Sequence, residues 1–121
     1  MSEPTAEKVL TAYKVLTKGE MDALEHEGSF AGSDVDKRDG YIHLSTRDQL
    51  TETVDKHFAG QEELWLAAVD LEAQGEVVKW EHSRGGQLFP HLYAPLSLET
   101  VIAYSPLKRG DDGQVLEPVT F

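Results

Sequence analysis

Apolar and polar positions alternate along several short stretches of the chain, and two longer stretches repeat them at helical spacing. Ala12 to Thr17 reads as a strand, with Tyr13 and Val15 on one face and Ala12, Lys14 and Leu16 on the other. Thr17 and Glu20 then have capping-box spacing, which predicts a helix carrying a short Met21 and Leu24 stripe and ending at Gly28. The glycines, serines and aspartates from Gly28 to Asp39 predict a polar loop. Gly40 to Leu44 follows as a short strand, with Ile42 and Leu44 on one side and Tyr41, His43 and Ser45 on the other. Ser45 or Thr46 caps a second helix, supported by Asp48 and Gln49, with the stripe Leu50, Val54 and Phe58.

The second half reads as strands. Leu64 to Asp70 is continuously apolar until its last residue, as a central strand covered on both faces should be. Glu76 to His82 alternates, with Val78, Trp80 and His82 opposite Val77, Lys79 and Glu81; both Trp65 and Trp80 are expected in the core. Ser83 to Gly86 is a break, after which Pro90 and Pro95 frame a rigid segment containing His91 and Tyr93. Leu98 to Tyr104 is a further strand, and Val115 to Phe121 a weaker one interrupted by Pro118. This order predicts an α+β fold, two main helices packed on a mixed or antiparallel sheet. Repeated strand–helix alternation and a glycine-rich first turn are both missing, which disfavours a doubly wound nucleotide fold.

At 121 residues the chain fits one domain, 1–121, with 1–11 and 105–121 as extended or less ordered ends. It has no cysteine, so disulfides, thiolate metal sites and cysteine nucleophiles are excluded. That absence, with no apolar run long enough to span a bilayer and no secretory pattern at the N-terminus, makes the cytoplasm the expected location. A net charge of −11 repels polyanions and makes DNA or RNA a poor partner. A small molecule or nucleotide is compatible with it, because screening confines charge effects to about 8 Å at physiological salt. The chain pattern leaves oligomeric state open.

Histidine is the natural carrier of chemistry near neutral pH. His26 and His57 fall in the last turns of the two helices, where a helix-dipole role suffices. His43 stands opposite the aliphatics of its strand and just before a helix N-terminus. There the amides, with the Ser45 and Thr46 hydroxyls, can receive an anionic or carbonyl oxygen. The structural alternative is a buried ring bonded to a backbone carbonyl. His91 has the same two readings, and Tyr93 shares its face if the segment is extended. A metal would need ligands converging from distant segments, such as His43, His91 and Glu81, since no histidine pair has ligand spacing; no metal is expected. Gly-x-Ser-x-Gly is missing, which removes a serine hydrolase, and the abundance of carboxylates singles out no glycosidase pair. Glu81 alone stands apart, at the end of a strand beside the glycine break.

Gly40-Tyr41-Ile42-His43-Leu44-Ser45-Thr46, Trp80-Glu81 and Phe89-Pro90-His91-Leu92-Tyr93-Ala94-Pro95-Leu96 together resemble the bacterial family known as domain of unknown function 952. Two departures are Ala94, where the family pattern has glycine, and the lack of a tryptophan near Met21. The resemblance implies an ADP-ribosyltransferase-like fold, a split α+β sheet with a nicotinamide nucleotide in its cleft, and so NAD as a ligand. His43 to Ser45 is also similar to a His-Leu-Ser motif of RNA 2′-phosphotransferases, which implies contact of His43 with ribose or nicotinamide. Their first histidine has no counterpart, Lys14 standing nearest its place, and only Arg38, Arg47, Arg84 and Arg109 could grip RNA. The expected site is therefore His43, Ser45, Thr46, His91 and Tyr93 as ligand contacts, with Glu81 and His43 as the catalytic pair. The alternative is a noncatalytic binding or interaction module of the same fold that has lost transferase chemistry.

Overall fold

A computed structural model describes residues 9–82 and 86–118. Among the described residues eight strands form, β1 (Thr11–Leu16), β2 (Ser29–Phe30), β3 (Ile42–His43), β4 (Trp65–Asp70), β5 (Val78–His82), β6 (Leu88–Leu92), β7 (Leu96–Ser97) and β8 (Val101–Pro106), with four α-helices, α1 (Lys18–Glu27), α2 (Asp34–Asp39), α3 (Arg47–His57) and α4 (Leu71–Gln74). The strands make three antiparallel sheets, ordered β1-β4-β8, β2-β7 and β3-β6-β5. The architecture is α+β, with α1 and α3 the two long helices.

Strand β4 lies at the centre of its sheet and is buried on both faces, as its apolar run predicts. Ala67 and Val69 enter one core cluster with Ala12 and Leu16 of β1, Met21 and Leu24 of α1, Ile42 and Leu92 of the third sheet, and Leu44 just after β3. Leu66 and Ala68 enter the other, with Tyr13, Val15 and α3's Leu50 and Val54. Successive side chains of a strand point to opposite faces, so one strand feeds both cores. Helix α1 begins on the predicted capping box, the Thr17 hydroxyl accepting from the Glu20 amide at 3.1 Å, and ends on Gly28 at φ 80°, a conformation that favours glycine.

Several expectations need correction. The predicted loop from Gly28 to Asp39 contains β2 and α2. Helix α2 starts on a reciprocal box of its own, Ser33 and Asp36 bonding each other's backbone amides at 2.9 and 3.1 Å, and the polar composition concealed it. Leu98–Thr100 is a 3-10 turn, so the last long strand begins at Val101. Trp80 is 40 % exposed, because β5 is the edge of its sheet and leaves one side of the indole uncovered. The expected strand from Val115 shrinks to one bridge with Arg109, and residues 119–121 lie outside the described residues. The same holds for residues 1–8 of the expected N-terminal end and for Ser83, Arg84 and Gly85 of the expected break. Within the expected C-terminal end, Leu107 and Val115 pack on the second core, and Arg109 pairs with Asp55 of α3 at 2.7 Å.

Candidate functional site

The third sheet assembles the site through its register. His43 of β3 pairs with His91 of β6, and His91 in turn pairs with Lys79 of β5. Residues directly opposite in antiparallel strands share a face, so three chemically active side chains lie in one row. Two residues along the same face come Tyr41 and Tyr93 on one side of this row, and Glu81, opposite Phe89, on the other. The tyrosine ring of residue 41 stacks on His91, with centroids 4.0 Å apart and planes 20° apart. Tyr93 lies 5.2 Å and His43 4.6 Å from the Tyr41 centroid, and the two imidazoles are 5.6 Å apart.

Each imidazole is held by carboxylate. His91, 3 % exposed, donates from Nδ1 to Glu81 Oε1 at 2.7 Å, and the Tyr93 hydroxyl donates to the same oxygen at 2.8 Å. These two bonds, that from His91 foremost, hold the Glu81 carboxyl below its ordinary range. In return Glu81 pushes the Tyr93 phenol up to about 12. His43 Nδ1 donates to Asp36 Oδ1 at 2.6 Å, while Nε2 lies 3.0 Å from Asp39 Oδ2. Both contacts are hydrogen bonds together when both ring nitrogens carry protons.

Asp36 is the hub beneath these groups. It is 2 % exposed and receives four donors, the Ser33 amide, the His43 amide, His43 Nδ1 and the Lys14 ammonium at 2.9 Å. Lys14 itself is 5 % exposed, because its strand face also carries Ala12 and Leu16, and it donates to the His43 carbonyl at 3.1 Å. A buried ammonium needs a paired anion, and Asp36 supplies it. Burial pushes the Asp36 carboxyl up, but the His43 bond, the Lys14 charge and bond, and the Ser33 amide outweigh it and bring it well below 3.8. A depressed carboxyl gives stability that is present above its unfolded pKa and lost as pH falls through its folded one. Urea midpoints are therefore expected to fall more steeply on acidification below pH 3.8 in the wild type than in Asp36→Asn. Parallel slopes would show that Asp36 does not carry this linkage.

Of the expected site residues, His43, Glu81, His91 and Tyr93 meet on one face, and Ser45 and Thr46 do not join them. Ser45 is buried, its hydroxyl bonded to that of Thr53 at 2.9 Å and its backbone paired with Tyr13. Thr46 caps α3, and its amide is taken by Gln49 Oε1 at 3.0 Å rather than offered to a ligand. It opens on a separate hollow shared with Leu10, Tyr13 and Arg47. Sequence reasoning passed over Asp36, Asp39 and the stacking of Tyr41. The Ser33-x-x-Asp36 box was the available signal for α2, and residues 36 and 39 sit one turn apart on that helix. Among the described residues no group of three or more His, Cys, Asp or Glu is placed to hold a metal ion, and no helix is long and apolar enough to cross a membrane.

Comparison with known proteins agrees with this fold. The crystal structure of protein CC0527 from Caulobacter crescentus is 47 % identical, covering 88 % of this chain and 93 % of its own at a TM-score of 0.80. The solution NMR structure of CC0527 is 48 % identical, covering 85 % and 89 %, at a TM-score of 0.74. No curated protein matches. The family model for DUF952, a protein of unknown function, matches residues 15–104, a span that runs from the end of β1 through most of β8 and holds Tyr41, His43, Glu81, His91 and Tyr93. This chain belongs to the DUF952 family.

Proposed function

We propose that the face formed by Tyr41, His43, Glu81, His91 and Tyr93 is the site of an NAD-like nucleotide in an ADP-ribosyltransferase-like fold. The observation that carries this reading is Glu81, an exposed carboxylate oriented by His91 and Tyr93 beside a stacked tyrosine. NAD supplies a ribose carbon that gains positive charge as nicotinamide departs. An ionised, fixed carboxylate is the group that stabilises such charge, and its two hydrogen bonds hold Glu81 ionised. Tyr41 and Tyr93 offer aromatic rings for a planar ligand, and His43, fixed by Asp36 and Asp39, stands against Tyr41 beside them. Separate antiparallel sheets beside two long helices support the split-sheet arrangement that the family likeness implies.

A noncatalytic binding module is the second reading. It is favoured by the internal bonding of the imidazoles, since His43 has a carboxylate at each ring nitrogen and His91 one at Nδ1. NAD titration followed by histidine ring NMR is expected to give saturable shifts at both His43 and His91 under either reading. Nicotinamide release lost in Glu81→Gln identifies transfer chemistry; binding without release identifies the module. Rings that stay unmoved through millimolar NAD would refute both.

A further inference from the structure

We infer that the Tyr41 and Tyr93 face selects a small organic cation, planar or methylated, over a neutral or anionic ligand of the same shape. This rests on the reading of the face as a ligand site and adds the charge of what enters it.

Two tyrosine rings lie with centroids 5.2 Å apart and planes tilted by 44°, and a π-system is negative on its faces; one face of Tyr41 is covered by His91, so a ligand meets Tyr93 and the remaining side of Tyr41. Tyr93 is 39 % exposed, so its ring is accessible from solvent. A cation of this chain already shows the attraction: Lys79 Nζ lies 6.0 Å from the Tyr93 centroid, the outer limit for a cation–π contact. At that distance the ammonium leaves the closer position over the ring to a better cation.

The charges around the rings point the same way. Lys14 and Asp36 cancel one another below the face. Asp39 and Glu81 remain at its rim, both partly exposed. Asp39 faces His43 and also accepts from the exposed Arg38 at 3.2 Å. Both bonds to Glu81 fall on Oε1, and among the described residues Oε2 accepts none. That oxygen is the one a bound cation would meet. The Tyr41 phenol is pushed up first by burial and then by Asp39, Glu81 and Asp36, which reports a negative field at the ring itself.

The test compares N-methylpyridinium with pyridine, which is the same ring without the charge near neutral pH, and with pyridine-3-carboxylate as the anion. Ring-proton NMR of Tyr41 and Tyr93 is the readout. N-methylpyridinium is expected to bind saturably and about tenfold more tightly than pyridine, with the anion weakest. Tyr93→Leu should lose about tenfold in that affinity, and Asp39→Asn, which keeps the side-chain shape, about threefold. Equal affinity for pyridine, unchanged binding in Tyr93→Leu, or no saturable shift would each overturn the inference. The nucleotide reading fails separately: a preference for N-methylpyridinium without NAD binding leaves the cation site standing, and NAD binding without charge preference does the reverse.

Discussion

Asp36→Ala is expected to destabilise the protein by about 3–5 kcal/mol, the range for removing one partner of a buried ion pair. The loss has three sources. Lys14 is left as a buried ammonium with only the His43 carbonyl to meet it. The His43 amide and ring lose their acceptor, and the α2 box loses the side chain that closes it on Ser33. Lys14→Met should cost less, because Asp36 keeps three donors while a methionine fits the apolar strand face that Lys14 occupies. Combining Lys14→Met with Asp36→Asn should cost less than the sum of the two, since residues sharing one network couple. Urea denaturation of the four variants measures all of this. A loss below about 1 kcal/mol for Asp36→Ala would show that water or neighbouring groups replace the carboxylate, and the hub would not exist.

Leu92→Ala is expected to cost about 2–5 kcal/mol. Leu92 is fully buried, pairs with Ile42 and Val78 in the middle strand of the site sheet, and belongs to the core cluster that α1 covers. Its neighbour His91 faces the other way, so a cavity at Leu92 opens beneath the site without touching it. Besides lowering the unfolding midpoint, the substitution should weaken the stacking of Tyr41 on His91, visible as a reduced ring-current shift of the imidazole protons. A cost under about 1 kcal/mol would mean that the sheet collapses onto the gap.

Much of this site was written in local pattern. Alternation places Tyr41 with His43 and His91 with Tyr93; Tyr41 and His43 do meet, and Tyr41 also touches the rings of His91 and Tyr93 across the strands. It also placed Lys14 on the face of Ala12 and Leu16, which is why that lysine is buried. Its partner was hidden among 22 acidic residues, because nothing within a few residues of Lys14 names Asp36. The α2 box at Ser33 was present but sat in a stretch whose glycines and aspartates resemble a loop. Trp80 shows the opposite failure: its alternation is that of a core strand, yet its exposure follows from the strand's place at the sheet edge. The capping pattern admits Ser45 or Thr46; Thr46 is the cap, and its amide is satisfied by Gln49, so that cap does not reach the site.

The sequence alone determined where the long helices start, which side chains share each strand face, and that β4 is covered on both sides. Those properties depend on backbone preference and side-chain period, which act over a few residues. Tertiary structure decided that His43 lies against His91, that Glu81 reaches both His91 and Tyr93, and that Asp36 answers Lys14. Strand register and the cost of burying a charge are set by which distant segments meet, and a slip of one residue would have turned every one of these side chains to the opposite face.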